Sequence, residues 1–334
     1  MSVSVREVAA AAGVSVGTVS NVLNRPDRVA PDTVARVQAA IDALGFVRND
    51  AARQLRAGRS RTLGLVVLDA RNPFFMDVAR GAEEAATEHG MSVLIANSDE
   101  RTDREARHLE LFEQQRVFGV LLTPVADAGA QIDRLRARGV PVVLVDRASA
   151  DPATPSVAVD DVIGGALAAR HLLDSGRRRL AFAGGPASIR QVEDRVRGAR
   201  EAIAAYPDAA LELLPTTALT VAEGRAVGRL IVERAPAERP DAVFAGNDLV
   251  ALGLLQSLVM TGSIRVPEDI ALIGYDDIDF AASAVVPLSS VRQPAELIGR
   301  RAVELLLGVG ELDPQARFHP ELIARESSVG RPRL

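Results

Sequence analysis

Three short stretches near the N-terminus have apolar residues at the spacing of an amphipathic helix. They are residues 5–12, 16–23 and 34–44. Gly45 follows the third stretch, where glycine favours a helix end. The pattern predicts three helices within the first 45 residues.

The connection between the first two helices has the pattern of a helix-turn-helix. Gly13 permits the positive φ of a tight turn. Ala9 is small enough to let the two helices approach closely, and Val19 would fill the space between them. We therefore interpret residues 1–45 as an all-α, DNA-binding head.

Residues 46–61 predict a hinge. A short helical pattern begins at Asn49 and stops at Gly58, and its roughly two turns are too few to be stable alone. Leu55 within it has no obvious core to join.

From Thr62 onward, apolar runs alternate with helical stretches. The predicted strands are 63–68, 92–96, 119–122, 142–145, 180–183, 242–245 and 270–274. The predicted helices are 76–88, 104–115, 166–173, 197–205, 222–234 and 249–259. Apolar, β-branched strands in this alternation are typical of parallel sheets covered by helices.

Two such series, divided near Asp160, predict an α/β sensor with two similar lobes over residues 62–328. We assign residues 62–160 and 292–319 to the first lobe, 161–291 and 320–328 to the second, and 329–334 to a tail. Polar residues such as Asp146, Asn247 and Asp276 follow predicted strands. Since ligands in open α/β sheets bind beyond the carboxyl ends of strands, the two lobes predict a shared ligand cleft.

Charge is distributed unevenly along the 334 residues. The net charge is −5, but residues 1–61 carry nine Arg and five acids, which gives 9 − 5 = +4 and leaves −9 for the remainder. A cationic head on an anionic body is typical of a dedicated DNA-binding domain.

Composition excludes several classes of protein. The chain has no cysteine, so no disulfide framework or thiolate metal site is possible. There is no signal-peptide pattern and no apolar run of about 18 residues. The four histidines are scattered without metal-ligand spacing. We therefore expect a cytoplasmic protein with no cofactor, no metal and no membrane partner.

The head motifs resemble those of the lactose-repressor family. The resemblance covers residues 5–9 and 13–24 and continues through 245–248, 290–294 and 320–327. It implies a helix-turn-helix head joined to a two-lobed sensor like that of periplasmic binding proteins. It also implies a homodimeric transcriptional repressor on a near-palindromic operator, released by a small effector; corepression would reverse the sign of control.

The resemblance places base contacts in the second helix, at Val16, Gly17 and Asn21. Asn21 can pair bidentately with adenine. Short polar residues and one arginine suit phosphate contacts, namely Ser15, Thr18, Ser20, Asn24 and Arg28. Alternatively, Ser15 only caps the helix, and Thr18 and Ser20 are only solvated.

In the family the hinge segment folds only on DNA and lies in the minor groove. This implies DNA contacts by Asn49, Ala52 and Leu55, with Leu55 wedged into the central base step. Alternatively, Leu55 packs on the sensor. Arg48 departs from the proline that the family often has.

The resemblance also implies an effector site. Its residues would be Phe74, Phe75, Asp146, Gln191, Arg195, Leu219, Asn247, Asp276 and Gln293. Arg195, Asn247 and Asp276 would bind the effector's polar groups, although Arg195 could instead be a plain salt-bridge partner. Family members that bind a purine stack it on an aromatic residue, where this chain has Leu219, and Ile189 replaces a polar residue. We therefore expect a sugar or sugar derivative.

Two other classes of function remain as alternatives. The adjacent Asp276 and Asp277 could suggest glycoside hydrolysis, but sequence neighbours rarely face one substrate from opposite sides. No phosphate-binding loop or nucleophile-elbow motif is present, so we expect no enzyme. A transport solute-binding protein would share the two lobes but would need neither the head nor a cytoplasmic location.

Overall fold

The computed structural model describes residues 3–46, 60–126, 128–260, 262–310 and 313–329. The chain forms two compact units that divide between Arg59 and Ser60. The predicted hinge helix, with Asn49, Ala52 and Leu55, lies outside the described residues.

The N-terminal unit consists of three α-helices and one short 3-10 turn among its described residues. The helices are α1, Val5–Ala12; α2, Val16–Asn24; and α3, Pro31–Leu44. Gly13 and Gly45 end α1 and α3 in the left-handed conformation, as their positions predict. Val8, Val19 and Val37 are completely buried in the small core. The prediction of an all-α head is therefore confirmed.

The second unit contains two sheets covered by helices. Its strands β1 to β12 are, in chain order, Thr62–Val67, Ser92–Asn97, Gly119–Leu122, Val142–Val145, Ser156–Val159, Arg179–Gly184, Ala210–Pro215, Ala242–Ala245, Ala271–Asp276, Ser289–Arg292, Gln315–Phe318 and Glu321–Ile323. Its helices α4 to α13 are Pro73–Glu88, Thr102–Gln114, Gly129–Ala137, Asp161–Asp174, Arg190–Ile203, Val221–Glu233, Asp248–Met260, Asp279–Ala282, Ala295–Leu307 and Glu326–Val329.

The two six-stranded sheets form two lobes. The sheet of the N-lobe has the order β11-β5-β4-β3-β1-β2, and that of the C-lobe has the order β12-β10-β9-β8-β6-β7. All strand pairs are parallel except β10 with β12. The chain changes sheet after β5, after β10 and after β11, so three crossings join the lobes. The predicted α/β two-lobed fold is confirmed.

Burial along the strands explains why the sheets form. The inner strands β3, β4 and β8 are buried at every position, because helices cover both faces of each sheet. The edge strands β2 and β7 are largely exposed. The carboxyl ends of the inner strands of both lobes meet at the cleft described below.

Reciprocal glycines bring three helix pairs into backbone contact. In each pair, a methyl group on either glycine would collide with the facing helix backbone. The pairs are α4 with α12 through Gly81 and Gly299, α7 with α8 through Gly165 and Gly198, and α9 with α10 through Gly224 and Gly253. Packing at this distance leaves no room for a side chain.

Gly198→Ala is therefore expected to destabilise the sensor by about 1–3 kcal/mol, the usual cost of overpacking a core. The added methyl group would collide with the carbonyl of Val162 and push α7 and α8 apart. Denaturant unfolding would measure the loss. Gly17→Ala is the matched control, since its methyl group would meet only the Ser15 hydroxyl, at 3.6 Å. Equal effects of the two substitutions would contradict this account of the packing.

Candidate functional site

The predicted DNA-reading residues lie on the accessible side of the head. Val19 and Val22 bury one face of α2, whereas Val16, Gly17 and Asn21 are exposed. Val16 keeps 45% of its surface accessible. The three positions therefore remain available for an approaching DNA groove.

The short polar residues of α2 already bond to the helix itself. The Ser15 hydroxyl accepts the Thr18 N–H at 3.0 Å and thereby caps α2. The Asn24 amide donates to the Ser20 carbonyl at 2.8 Å. Ser15, Asn24 and Arg28 are exposed, and Thr18 and Ser20 are half-buried. Capping by Ser15 therefore occurs, and it is compatible with a phosphate contact.

A polar cavity lies between the lobes of the second unit. It is lined from the N-lobe by Leu68, Asp69, Asn72, Phe74, Phe75, Glu100 and Asp146, and from the C-lobe by Ile189, Gln191, Arg195, Leu219, Asn247 and Asp276. Eight of the nine predicted effector residues are among them. The ninth, Gln293, bonds to Asp276 from behind. The free space is about 30 Å³, room for about one water molecule, so a larger ligand requires the cleft to widen.

Arg195 is at the centre of the C-lobe wall. It projects from α8, is 3% exposed, and its Nε donates to Asp161 Oδ1 at 2.8 Å. Its Nη1 donates to the Gly246 carbonyl at 2.6 Å, and the guanidinium lies 3.6 Å from the ring centroid of Tyr275. Burial lowers the pKa of Arg195, but Asp161 and its neighbours outweigh burial and raise it. The guanidinium is therefore charged. The alternative interpretation, in which Arg195 is a salt-bridge partner, agrees with its bond to Asp161.

Asp276 joins the two lobes. Its Oδ2 accepts from Asn72 Nδ2 in the N-lobe at 2.8 Å, and its Oδ1 accepts from Gln293 Nε2 at 2.8 Å. Its backbone has the unusual φ of 104°, which turns the side chain toward the cleft at the end of β9. Burial raises the pKa of Asp276 to about 6.

Asp146 forms a second bridge between the lobes. Gln191 Nε2 of the C-lobe donates to Asp146 Oδ2 at 2.9 Å and to its carbonyl oxygen at 2.6 Å. The other oxygen, Asp146 Oδ1, is buried and has no hydrogen-bond partner among the described residues. Burial raises the pKa of Asp146 to about 8. Together with Asn72–Asp276, this bridge holds the cleft closed.

Asn247 has a local role as well as its place in the cavity. Its Oδ1 accepts from the Val250 N–H at 3.0 Å at the start of α10, and its Nδ2 donates to the Leu219 carbonyl at 3.3 Å. Phe74 and Phe75 pack edge-to-face, with ring centroids 5.1 Å apart, and belong to the main core as well as the cavity wall. These contacts hold the cavity wall in place without a ligand.

Sequence reasoning missed three polar residues of the cavity. Asp69 and Asn72 belong to the polar segment after β1, and that position was an available signal. Glu100 had no such signal, because it reaches the cavity through two consecutive positive-φ residues, Asp99 and Glu100. Burial raises the pKa of Glu100 to about 7.

The cavity combines carboxylates, amides and one guanidinium with an apolar wall. Carboxylates accept from hydroxyl groups, the guanidinium donates, and amides do both. Such a set, in a cleft between lobes, suits a small molecule with several hydroxyl groups. The fold and this cleft define a two-lobed ligand-binding protein with a helix-turn-helix head.

Comparison with known proteins gives the family. The model described as bacterial regulatory proteins, lacI family, matches residues 4–49. The model described as periplasmic binding proteins and sugar binding domain of LacI family matches residues 60–323. The chain belongs to the LacI family of bacterial regulatory proteins, which confirms the resemblance seen in the sequence.

Similar proteins cover nearly the whole chain. The ribose operon repressor of Bacillus subtilis is 35% identical over 313 residues, 94% of this chain and 93% of that protein. The HTH-type transcriptional repressor PurR of Aliivibrio fischeri is 32% identical over 340 residues, 98% and 99% of the two chains. A solved complex of the transcriptional regulator CelR with cellobiose has 32% identity, a TM-score of 0.70, and coverage of 97% and 99%. The two relatives are named as repressors, not as enzymes.

No helix within the described ranges is both long and apolar enough to cross a membrane.

Proposed function

We propose that this protein is a transcriptional repressor that binds a near-palindromic DNA operator as a homodimer and is released by a sugar or sugar derivative. The observation that carries the proposal is the pairing, in one chain, of an exposed reading face on α2 with a closed polar cavity between two lobes. A DNA operator as target supports a cytoplasmic location.

A sugar fits the cavity wall better than a purine does. Leu219 and Ile189 line the C-lobe side, and neither can stack on a flat base or bond to its edge. Phe74 and Phe75 are committed to each other and to the core. The named relatives include a ribose operon repressor, a regulator in complex with cellobiose and the repressor PurR, and the apolar C-lobe wall supports a sugar for this chain.

The bridges across the cleft supply a mechanism for release. Asn72–Asp276 and Gln191–Asp146 join opposite lobes, and an effector must replace them with its own hydroxyl groups. The angle between the lobes then changes, and the hinge loses its geometry on DNA. The coupling free energy of such systems is typically about 1–3 kcal/mol.

Exposed apolar residues on both lobes support a homodimer. Leu94 and Ile95 on the edge strand β2 are 47% and 51% exposed, and Phe280 and Val285 of the C-lobe are 61% and 69% exposed. Exposed apolar side chains of this kind are candidates for an association site, and a twofold pair suits a palindromic operator.

The proposal is tested by in vitro selection from a randomised duplex library with the purified full chain. We expect recovery of a palindrome with a flexible pyrimidine–purine step at its centre. The selection is repeated with pooled sugars and with pooled purines, since a corepressor would be needed for binding if the sign of control were reversed. Failure to enrich any sequence under all three conditions would overturn the proposal.

Leu55→Ala is expected to weaken binding to the selected palindrome by about tenfold or more, because the wedge into the central base step is lost. Fluorescence anisotropy with labelled duplex measures the change. Leu213→Ala, at an exposed leucine of β7, is the matched control and should leave DNA affinity unchanged. Unchanged affinity in Leu55→Ala would refute the wedge while leaving the repressor assignment intact.

A further inference from the structure

Two of the three chain crossings between the lobes have an arginine near their C-lobe end. The crossing from β10 to α12 leaves the C-lobe at Arg292, and the crossing from β11 to β12 is followed by Arg325, two residues beyond β12. Both arginines lie next to one carboxylate, that of Asp277 directly after β9. We call these three residues the Asp277 cluster.

Asp277 bonds to the two arginines with separate carboxylate oxygens. Arg292 Nε donates to Asp277 Oδ2 at 2.8 Å, and Arg325 Nη1 donates to Asp277 Oδ1 at 2.6 Å. The Asp277 side chain is only 4% exposed, and Arg325 Nη1 also donates to the Leu288 carbonyl at 2.8 Å. Because charge-assisted bonds are stronger than neutral ones, this buried carboxylate firmly connects two of the crossings.

Two further ion pairs extend the connection to all three crossings. Arg292 Nη1 lies 3.8 Å from Glu321 Oε2 at the start of β12. On the N-lobe side, Arg317 Nη1 of β11 lies 3.4 Å from Asp160 Oδ2, and Asp160 is the N-cap of α7 at the crossing after β5. Both pairs are longer and more exposed than those of Asp277, so they contribute less. Asp277 is therefore the most buried of the three carboxylates that join the crossings.

The residue before Asp277 is Asp276, which lines the effector cavity. Asp276 accepts from Asn72 of the N-lobe and from Gln293, which lies in the crossing from β10 to α12. Asp277 bonds to Arg292, the residue directly before Gln293. Two consecutive residues after β9 thus bond to two consecutive residues of one crossing. A ligand that displaces Asp276 would therefore act on that crossing as well.

The turn at residues 276–278 is too well anchored to absorb such a displacement. Asp276 and Asp277 have φ of 104° and 55°, a conformation that non-glycine residues keep only where contacts hold it. The Asp277 N–H donates to Ser290 Oγ at 3.0 Å. The Ile278 N–H donates to Asp248 Oδ2 at 2.9 Å, and Ser290 Oγ donates to Asp248 Oδ1 at 2.6 Å. The turn and β10 therefore form one bonded unit.

We propose that Asp277 is a positioning residue, which transmits ligand binding at Asp276 to the crossings between the lobes. This rests on the proposed function and assigns its mechanical step to a carboxylate outside the effector cavity. A ligand that takes over the bonds of Asp276 moves the turn, and the ion pairs of Asp277 carry the movement to Arg292 and Arg325. Without the Asp277 charge, the cavity is separated from the angle between the lobes.

A double-mutant cycle on the full chain, measured by hydrogen exchange, tests the proposal without any ligand. Asn72→Ser removes the bond to Asp276 but keeps a side-chain cap for α4. In the parent chain it should speed amide exchange in β10 and in residues 321–325 by about fivefold or more, because the released turn loosens the crossings. In the Asp277→Asn chain it should change exchange there by less than about twofold, since the connection is already lost.

Three variants serve as controls. Asp269→Asn breaks an exposed ion pair elsewhere in the C-lobe, and Asn72→Ser should keep its full effect in that chain. Arg292→Gln removes a half-exposed partner of Asp277 and should reproduce part of the Asp277→Asn result, which keeps the test decisive if the aspartate variant folds poorly. Arg325→Lys keeps the charge and should retain part of the transmission. Thermal unfolding shows which variants are folded.

Two results would overturn the role of Asp277. One is an additive effect of Asn72→Ser and Asp277→Asn on exchange. The other is unchanged exchange in β10 and residues 321–325 when Asn72→Ser is made in the parent chain.

The proposed function is checked separately, by fluorescence anisotropy with the selected duplex and a mixture of ribose, glucose and cellobiose. Release of the parent chain together with additive exchange would overturn the role of Asp277 and leave the repressor standing. Non-additive exchange without release would support the role of Asp277 and count against release by these sugars. Release of the parent chain but not of Asp277→Asn, with non-additive exchange, is the result that we expect.

Discussion

Arg195→Met is expected to destabilise the sensor by about 3–5 kcal/mol, because it leaves Asp161 as a buried charge without its partner. In the folded chain Asp161 Oδ1 lies 2.8 Å from Arg195 Nε, and both side chains are almost fully buried. The substitution also removes the guanidinium from the effector cavity. Chemical denaturation measures the loss of stability. Titration of the folded variant with effector, in the absence of denaturant, measures the loss of effector binding.

Two controls separate the ion pair from general damage. Arg195→Met combined with Asp161→Asn should regain much of the lost stability, since no buried charge remains, yet it should still fail to bind effector. Arg265→Met removes an exposed pair with Asp269 at 2.6 Å and should cost at most about 1 kcal/mol. Full stability in Arg195→Met would show that the buried pair contributes little, and a normal effector response would mean that the cavity is not the effector site.

The free energy of unfolding is expected to fall as the pH rises from about 5 to about 8, and Asp146→Asn should reduce this slope. Burial raises the pKa of Asp146 to about 8, whereas in the unfolded chain an aspartate titrates near pH 4. The folded state therefore holds a proton that the unfolded state has released, and this contribution to stability is lost as the pH rises through the folded pKa. Asp276 and Glu100, with pKa values raised to about 6 and about 7, act in the same direction.

At pH 8, Asp146→Asn should be more stable than the parent chain by more than about 1.4 kcal/mol, the free energy of one pKa unit. Urea unfolding at pH 5 and pH 8 measures it. Asp269→Asn is the control, because the pH dependence of the Asp269 contribution to stability has the opposite sign. Bonds from Arg265 lower the pKa of Asp269 to about 2, so its contribution is lost only as the pH falls below about 4. An unchanged slope in Asp146→Asn would mean that this carboxyl is solvated in the folded protein.

The head could be predicted in detail because its signals are local. The sequence interpretation of α1 and α2 agrees with the structure to within one residue at each end. Glycine ends two of the helices, and a serine caps α2, so short-range chemistry sets the boundaries. For the hinge, the resemblance implies DNA contacts by Asn49, Ala52 and Leu55. These contacts remain a prediction, because the three residues lie outside the described ranges.

The sensor shows where local signals fail. Long apolar strands such as β1 and β9 were predicted within two residues. The strands β5, β7, β10, β11 and β12 were missed. Three of them, β7, β11 and β12, lie at sheet edges, which tolerate polar residues, and all but β7 have only three or four residues, too few to carry a clear pattern. Their existence depends on pairing with strands that are distant in sequence.

The cavity was predicted through residue positions, but its bonding was not. Asp146 and Asp276 follow strands, so the topology brings them to one cleft. That Gln191 and Asn72 would bond to them from the opposite lobe depends on the closure of the lobes, which no sequence pattern encodes. The same holds for Glu100, because its route to the cavity requires two left-handed residues.

The central claim is that a ligand in the cleft controls DNA binding by the head. The most direct measurement is the affinity of the full chain for the selected duplex, by fluorescence anisotropy, with and without a sugar that calorimetry shows to bind. The account predicts that the sugar weakens DNA binding by about 5–150-fold and that Arg195→Met abolishes the change. A sugar that binds the cleft with no change in DNA affinity would contradict the account.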